Sequence, residues 1–128
     1  MSIITTMLSK FDAVSIPWRK QDLHVSRYLW QALDTLVSNS KIVIDRPRGT
    51  AHPRYPEFIY PLDYGYLQGT TSGDGSGIDV WMGSQSTRQV TALLVTVDGQ
   101  KRDAEIKLLL ACTAEEFQAM LALHDQSS

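Results

Sequence analysis

Two apolar, β-favouring runs, Val90 to Val97 and Ile106 to Cys112, are joined by Asp98-Gly99-Gln100-Lys101-Arg102, and this pairing restricts the fold more than any other part of the chain. Glycine takes the positive φ that a tight turn needs, and aspartate bonds its own backbone just ahead, so Asp-Gly between two such runs predicts a β-hairpin. Ile78 to Met82 and Lys41 to Asp45 read as further strands from their β-branched and aromatic content. Three or more strands then form an antiparallel sheet or barrel. A chain of 128 residues, 43% hydrophobic and 20% charged, has room for one such domain and a core large enough to fold without staples.

The remaining segments read as helices and loops. Asp22 to about Ser38 is rich in helix formers and places Leu23, Trp30, Leu33 and Val37 at near-helical spacing, with Asp22 as the N-cap. Tyr28 and Trp30 are read as packing rather than as a ligand box. Four of the five prolines fall between Arg46 and Pro61, which predicts a rigid surface connection, because proline fixes φ and donates nothing to a ladder. Gln68 to Ser76, with its glycines and hydroxyl residues around one aspartate, predicts turns. Thr113-Ala-Glu-Glu116 matches a capping box, with Phe117, Met120, Leu121 and His124 following at helical spacing. The organisation expected is a helical N-terminal extension over residues 1–40, a β core over 41–112 and a C-terminal helix over 113–128, with Gln126 to Ser128 frayed.

Net charge is -2 and the pI is near 5.8, so there is no general basic field for nucleic acid or an anionic membrane; an anionic ligand must be drawn by local cations. Cys112 is the single cysteine and lies in an apolar run, which excludes an intrachain disulfide and favours a packing role in a reducing compartment. Met1 to Phe11 shows no basic start followed by a long apolar stretch, and no run approaches about 18 apolar residues. A cytoplasmic, soluble protein without a membrane partner is the expectation.

Chemistry is carried by aspartates. Asp98 and Asp103 flank the hairpin connection and face one another, an arrangement that is unfavourable in a sheet unless solvent, a basic neighbour such as Lys101, Arg102 or Lys107, or a shared hard cation relieves it. Asp74 and Asp79 enclose Gly75-Ser76-Gly77-Ile78, so the backbone can curl and bring both carboxylates toward one point. An EF-hand is excluded, because its sixth position would be Asp79 and its twelfth Gln85 where glycine and glutamate are needed. Oxygen-only donors favour Mg2+ or Mn2+ over zinc, and His24, His52 and His124 have no metal-ligand spacing and read as surface or packing residues.

Tyr60-Pro61-Leu62-Asp63-Tyr64-Gly65-Tyr66, followed by Asp74-Gly75-Ser76-Gly77-Ile78-Asp79, resembles the soluble inorganic pyrophosphatases, marked by a Tyr-Pro-x-Asn-Tyr-Gly-Tyr segment ahead of an Asp-Gly-Asp-Pro-hydrophobic-Asp loop. The resemblance runs from about Lys41 to Cys112. It implies a mainly β, α+β chain whose small antiparallel barrel is similar to the OB-fold, with an N-terminal amphipathic helix, a short C-terminal helix and assembly as a homo-oligomer. It further implies Mg2+-dependent hydrolysis of pyrophosphate, with Asp74, Asp79 and Asp103 as metal ligands and Asp98 and Asp45 in support. Arg54 stands where the family has a phosphate-binding lysine, and Tyr64 matches a tyrosine that donates to phosphate.

Departures from the family pattern fall mainly on the basic side. Ser76 replaces the loop's central aspartate, the family's base on the attacking water; losing a general base typically costs about 10²–10⁴-fold, though metals can acidify a water without it. A hairpin carrying an arginine of the phosphate clamp is missing, leaving Arg46 or Arg48 to substitute. Glu105 stands in place of the lysine after the last metal aspartate, with Lys107 two residues on, and the C-terminal helix carries no tyrosine-lysine pair for product phosphate. One alternative is therefore a degenerate member that binds or hydrolyses another phosphoanhydride or phosphate ester, such as a nucleotide. Another is single-stranded nucleic-acid binding through Arg46, Arg48, Arg54, Tyr55 and Tyr60, which five aspartates of the site oppose by repelling a phosphate backbone.

Overall fold

The computed structural model describes residues 3–9 and 20–124, with side chains from residue 27 onward. In chain order the elements are β1 (Ile3–Ser9), α1 (Lys20–Ser38), β2 (Lys41–Arg46), β3 (Asp63–Gln68), β4 (Ile78–Met82), β5 (Val90–Asp98), β6 (Asp103–Leu110) and α2 (Ala114–His124). The six strands form one sheet in the order β1-β5-β6-β4-β3-β2. The α+β class expected from sequence holds. Neighbouring strands run antiparallel except β4 and β6, which are parallel with Asp79 opposite Lys107. Among the described residues β1 and β2 are the two edges and no pairing joins them, so the sheet stands open where a barrel was expected.

The β5–β6 hairpin forms around Asp98-Gly99, with Asp98 opposite Asp103. Side chains alternate between the faces of a strand, and β6 is buried on both: Leu108 and Leu110 turn to one side, Leu109 to the other, each at most 1% exposed. On the first face α1 sets Trp30, Val37, Leu33 and Leu36 against Leu67, Val80, Leu93 and Leu108. On the second face α2 brings Met120, Phe117 and Leu123 against Trp81, Leu94 and Leu109. Burying each such leucine contributes about 1.5–3 kcal/mol, which locks the register of the central strands and the helices over them.

Several elements differ from expectation. The helix starts at Lys20, so Asp22 lies in its first turn rather than ahead of it. Residues 1–40 contribute β1 as well as a helix, and β1 pairs with β5 along its whole length, Ile3 opposite Asp98 and Ser9 opposite Ala92. β3 falls between the proline-rich connection and the turn segment, in a stretch given no element from sequence, because Gly65 at its centre weakens the strand signal. Glycine is required there: a Cβ on Gly65 would overlap the Val43 carbonyl of β2. β6 begins at Asp103, ahead of the predicted Ile106, since its exposed first residues show no apolar pattern. The side chains of Leu23 and His24, and the whole of Gln126 to Ser128, lie outside the described residues.

The proline-rich connection is folded back on itself. Tyr60 N–H donates to the Thr50 carbonyl and Gly49 N–H to that of Tyr60, both at 2.9 Å, and Ala51 bridges Ile59. This places His52, Phe58 and Tyr60 beside the second face of the sheet, next to α2.

Candidate functional site

The Asp74 loop is a closed turn. Ser72 N–H donates to the Ser76 carbonyl at 2.7 Å, Gly75 N–H donates to that of Ser72 at 3.0 Å, and Gly75 takes φ +85°. Asp74 Oδ1 accepts from the Ser72 hydroxyl at 2.6 Å and from Ser76 N–H at 2.9 Å. The hydroxyl, then the amide, hold the exposed Asp74 carboxyl below the usual carboxylate range. Ser76 itself is exposed.

Asp74, Asp79 and Asp103 line one cavity of about 470 Å³, joined there by Glu105. Their chemistry suits a hard cation. They are not drawn into a ready-made cluster, however: among the described residues no three His, Cys, Asp or Glu side chains gather closely enough to hold a metal ion. Asp98, opposite Asp103 at the hairpin tip, does not line this cavity; its Oδ1 accepts from Gln100 N–H at 3.0 Å and Lys101 N–H at 3.1 Å. Those two bonds are the turn-forming role of an aspartate ahead of glycine. Asp45 lines a second cavity, on the other side of Asp79's partner Lys107.

Lys107 is the centre of the arrangement. The parallel register of β4 and β6 places it opposite Asp79, and its Nζ donates to Asp79 Oδ2 at 3.1 Å and to Tyr64 Oη at 2.8 Å. The Glu105 carboxylate lies 3.9 Å away on the same strand face. The lysine side chain is 13% exposed. Burial alone would lower its pKa, yet Tyr64 and Asp79 together hold it above the ordinary value, so the ammonium persists at neutral pH. Burial pushes the Tyr64 phenol up to about 12 against the pull of Lys107, with Asp79 adding to the rise, so Tyr64 stays protonated. A fixed cation thus touches a neutral hydroxyl in a half-buried corner. The displaced lysine noted in the sequence is the one that reaches this corner.

The second cavity, about 640 Å³, opens at this corner and is walled by Tyr64, Lys107, Arg46, Trp81 and His124. Arg46 reaches it because β2 pairs with β3 across a bulge, setting Arg46 opposite Tyr64. Arg48 and Arg54 have exposed side chains and line neither cavity; their backbone N–H groups donate to Asp63 Oδ1 and His52 Nδ1. The predicted phosphate residues Tyr64, Lys107 and Arg46 therefore meet, and Arg48 and Arg54 do not join them.

Trp81 and His124 were not singled out from sequence as site residues. Trp81 lies two residues after Asp79 on β4, so alternation puts it on the face that carries Asp79. His124 follows the buried Met120 by four residues, hence shares its helix face, and its Nε2 accepts from Trp81 Nε1 at 3.1 Å. Burial first, and the charge of Lys107 second, push the His124 pKa down to about 4.

Cys112 is buried, its thiol pushed up to about 12 by burial and then by Glu116, in keeping with packing. Among the described residues no helix is long and apolar enough to cross a membrane. No family model, curated protein or solved structure matches this chain.

Proposed function

We propose that this chain binds a phosphoanhydride such as inorganic pyrophosphate at the Lys107 corner and hydrolyses it with Mg2+ or Mn2+. The observation that carries the proposal is the Lys107 ammonium held at 2.8 Å from Tyr64 Oη and 3.1 Å from Asp79 Oδ2, at the mouth of a cavity that Arg46 also lines. Two cations and a protonated phenol are the donors a phosphate group takes, and a partly buried setting strengthens each bond. The resemblance of Tyr60 to Tyr66 and Asp74 to Asp79 to the pyrophosphatase motifs is consistent with this reading.

In this reading Tyr64 Oη, which already accepts from Lys107, turns its own proton to a phosphate oxygen, while Lys107 and Arg46 balance the anion's charge. A phosphate oxygen replaces Asp79 at Lys107 and releases that carboxylate toward the neighbouring cavity. Asp79, Asp74 and Asp103 would hold the divalent cation, which when bound acidifies a water and offsets negative charge. Asp45 lines the cavity that takes the anion rather than the acidic one, and Asp98 acts by shaping the hairpin on which Asp103 stands. A cytoplasmic home and a homo-oligomeric assembly belong to the same proposal.

Phosphate release from pyrophosphate, with and without Mg2+, tests it: release should need the metal and should vanish in Asp79→Ala. Full activity of that variant would sink the assignment. A second reading, binding without hydrolysis, is favoured by Ser76 at the loop's centre and by the engagement of Asp79 with Lys107. Ser76→Asp raises turnover if the chain is a hydrolase short of a base, and leaves a non-hydrolysing binder silent.

A further inference from the structure

We propose that the anion taken at the Lys107 corner is the phosphate end of a nucleoside diphosphate or triphosphate whose base stacks on Tyr55, an inference that rests on the phosphate-binding reading above. The cavity leading from Lys107 measures about 640 Å³, the size of sites for small organic ligands. Rings run along it from the cation outward. Lys107 Nζ sits 5.2 Å from the Tyr64 ring centre, Tyr60 lies 5.8 Å beyond Tyr64, His52 stacks 6.1 Å from Tyr60 at 8°, and Tyr55 follows at 5.0 Å from His52.

The inner rings are explained by packing: Tyr60 is 7% exposed and belongs to the core under α2. His52 is held by Tyr60, Phe58 and Arg54, but Tyr55 at the outer end is not accounted for in this way. Tyr55 is 58% exposed at the cavity wall, and His52 is half-buried beside it, its ring held by Arg54 N–H donating to Nδ1. Pyrophosphate presents only oxygen and gains nothing from an aromatic wall, whereas a base has a flat apolar face to lay on one.

The carboxylates of the same cavity agree. Asp45 and Glu57 line it and are exposed. They oppose a ligand that is anionic throughout, but they accept hydrogen bonds from sugar hydroxyls or from the exocyclic amine of a base. The ligand these walls fit is anionic at one end, and flat and rich in donors at the other. A polymer of nucleotides fits less well, because a net charge of -2 provides no extended basic field for successive phosphates.

Calorimetric titration of the full chain in Mg2+ buffer with ADP and with inorganic pyrophosphate tests this. ADP should bind about tenfold more tightly than pyrophosphate, Tyr55→Ala should weaken ADP about tenfold and leave pyrophosphate unchanged, and Tyr55→Phe should keep the wild-type affinity. Pyrophosphate binding as tightly as ADP, or ADP binding unmoved by Tyr55→Ala, overturns the base-stacking inference and leaves the phosphate-binding reading standing. Loss of ADP binding in Tyr55→Phe overturns the stacking role of that ring. Failure of both ligands to bind overturns both readings, and tighter binding of a single-stranded oligonucleotide than of ADP overturns the mononucleotide assignment.

Discussion

At the scale of single residues, the chemistry rests on charges whose neighbours fix their protonation. Lys107 keeps its proton because Tyr64 and Asp79 outweigh its burial, and that charge in turn helps to keep His124 neutral. The neutral state of His124 is also demanded by geometry: its Nε2 accepts from Trp81, which an imidazolium nitrogen cannot do. The folded pKa near 4 lies below the ordinary 6.5, so between those values the unfolded chain binds a proton that the folded chain refuses. Stability is therefore full above pH 6.5 and falls as pH drops toward 4, by about 3 kcal/mol on account of this one group. A His124 ring-proton titration by NMR should show a midpoint near 4, and a midpoint at 6.5 or above would contradict the buried Trp81–His124 contact.

Much of this site was legible as residues and little of it as geometry. Asp74, Asp79, Tyr64 and Lys107 stood out by motif and spacing, but the contact that joins three of them depends on β4 and β6 being parallel neighbours. Local pattern does not reveal a pairing between strands separated in sequence by another strand. Arg48 and Arg54 were expected as phosphate residues from the family resemblance, and the folded proline connection turns their side chains to solvent. Asp98 read as a site carboxylate, while the structure uses it to close a turn, which its place ahead of glycine had already announced.

Among the elements, α2 bears most directly on the site, because it carries His124. Its capping box forms as the sequence predicts: Glu116 N–H donates to Thr113 Oγ1 at 3.1 Å and Thr113 N–H to Glu116 Oε1 at 2.9 Å. The same Oε1 also accepts from Ser84 N–H at 3.1 Å, tying the helix start to the connection after β4. Thr113→Ala should cost about 1 kcal/mol, the usual value of a cap, and Glu116→Ala more, since it also removes the charged bond to Ser84 N–H. Denaturant unfolding of the two variants measures this, and the reverse order would mean that the Ser84 bond adds nothing. Of the strands that went unread, β1 carries the β-branched run Ile3-Ile4-Thr5-Thr6 but lies outside the segment read as the β core, and β3 has no β-branched residue. β1 is defined by its partner β5, and β3 hides behind a glycine that its close approach to β2 requires.

Across the whole molecule, one sheet is held between two helices, and this layering creates the division of the site. The first face is packed by α1 around Trp30, Val37, Leu67, Val80 and Leu108, with the acidic cavity at its margin beside Leu33 and Ile78, whereas the second is sealed by α2 only around Leu94, Leu109 and Met120. Beyond that core the polar ends of β4 and β6 emerge, bringing Asp79 and Lys107 to the boundary between the acidic cavity and the aromatic one. The layer order follows from the apolar runs; the boundary does not, because it depends on how far α2 and the proline connection extend over the sheet. The central claim is that Lys107 is the anion's anchor there. Titrating pyrophosphate into wild type and Lys107→Met in excess Mg2+ tests it most directly: the variant, with an unchanged circular dichroism spectrum, should bind at least about tenfold more weakly, as loss of a charged hydrogen bond implies. Equal affinity in the two proteins, or no binding by the wild type, would contradict it.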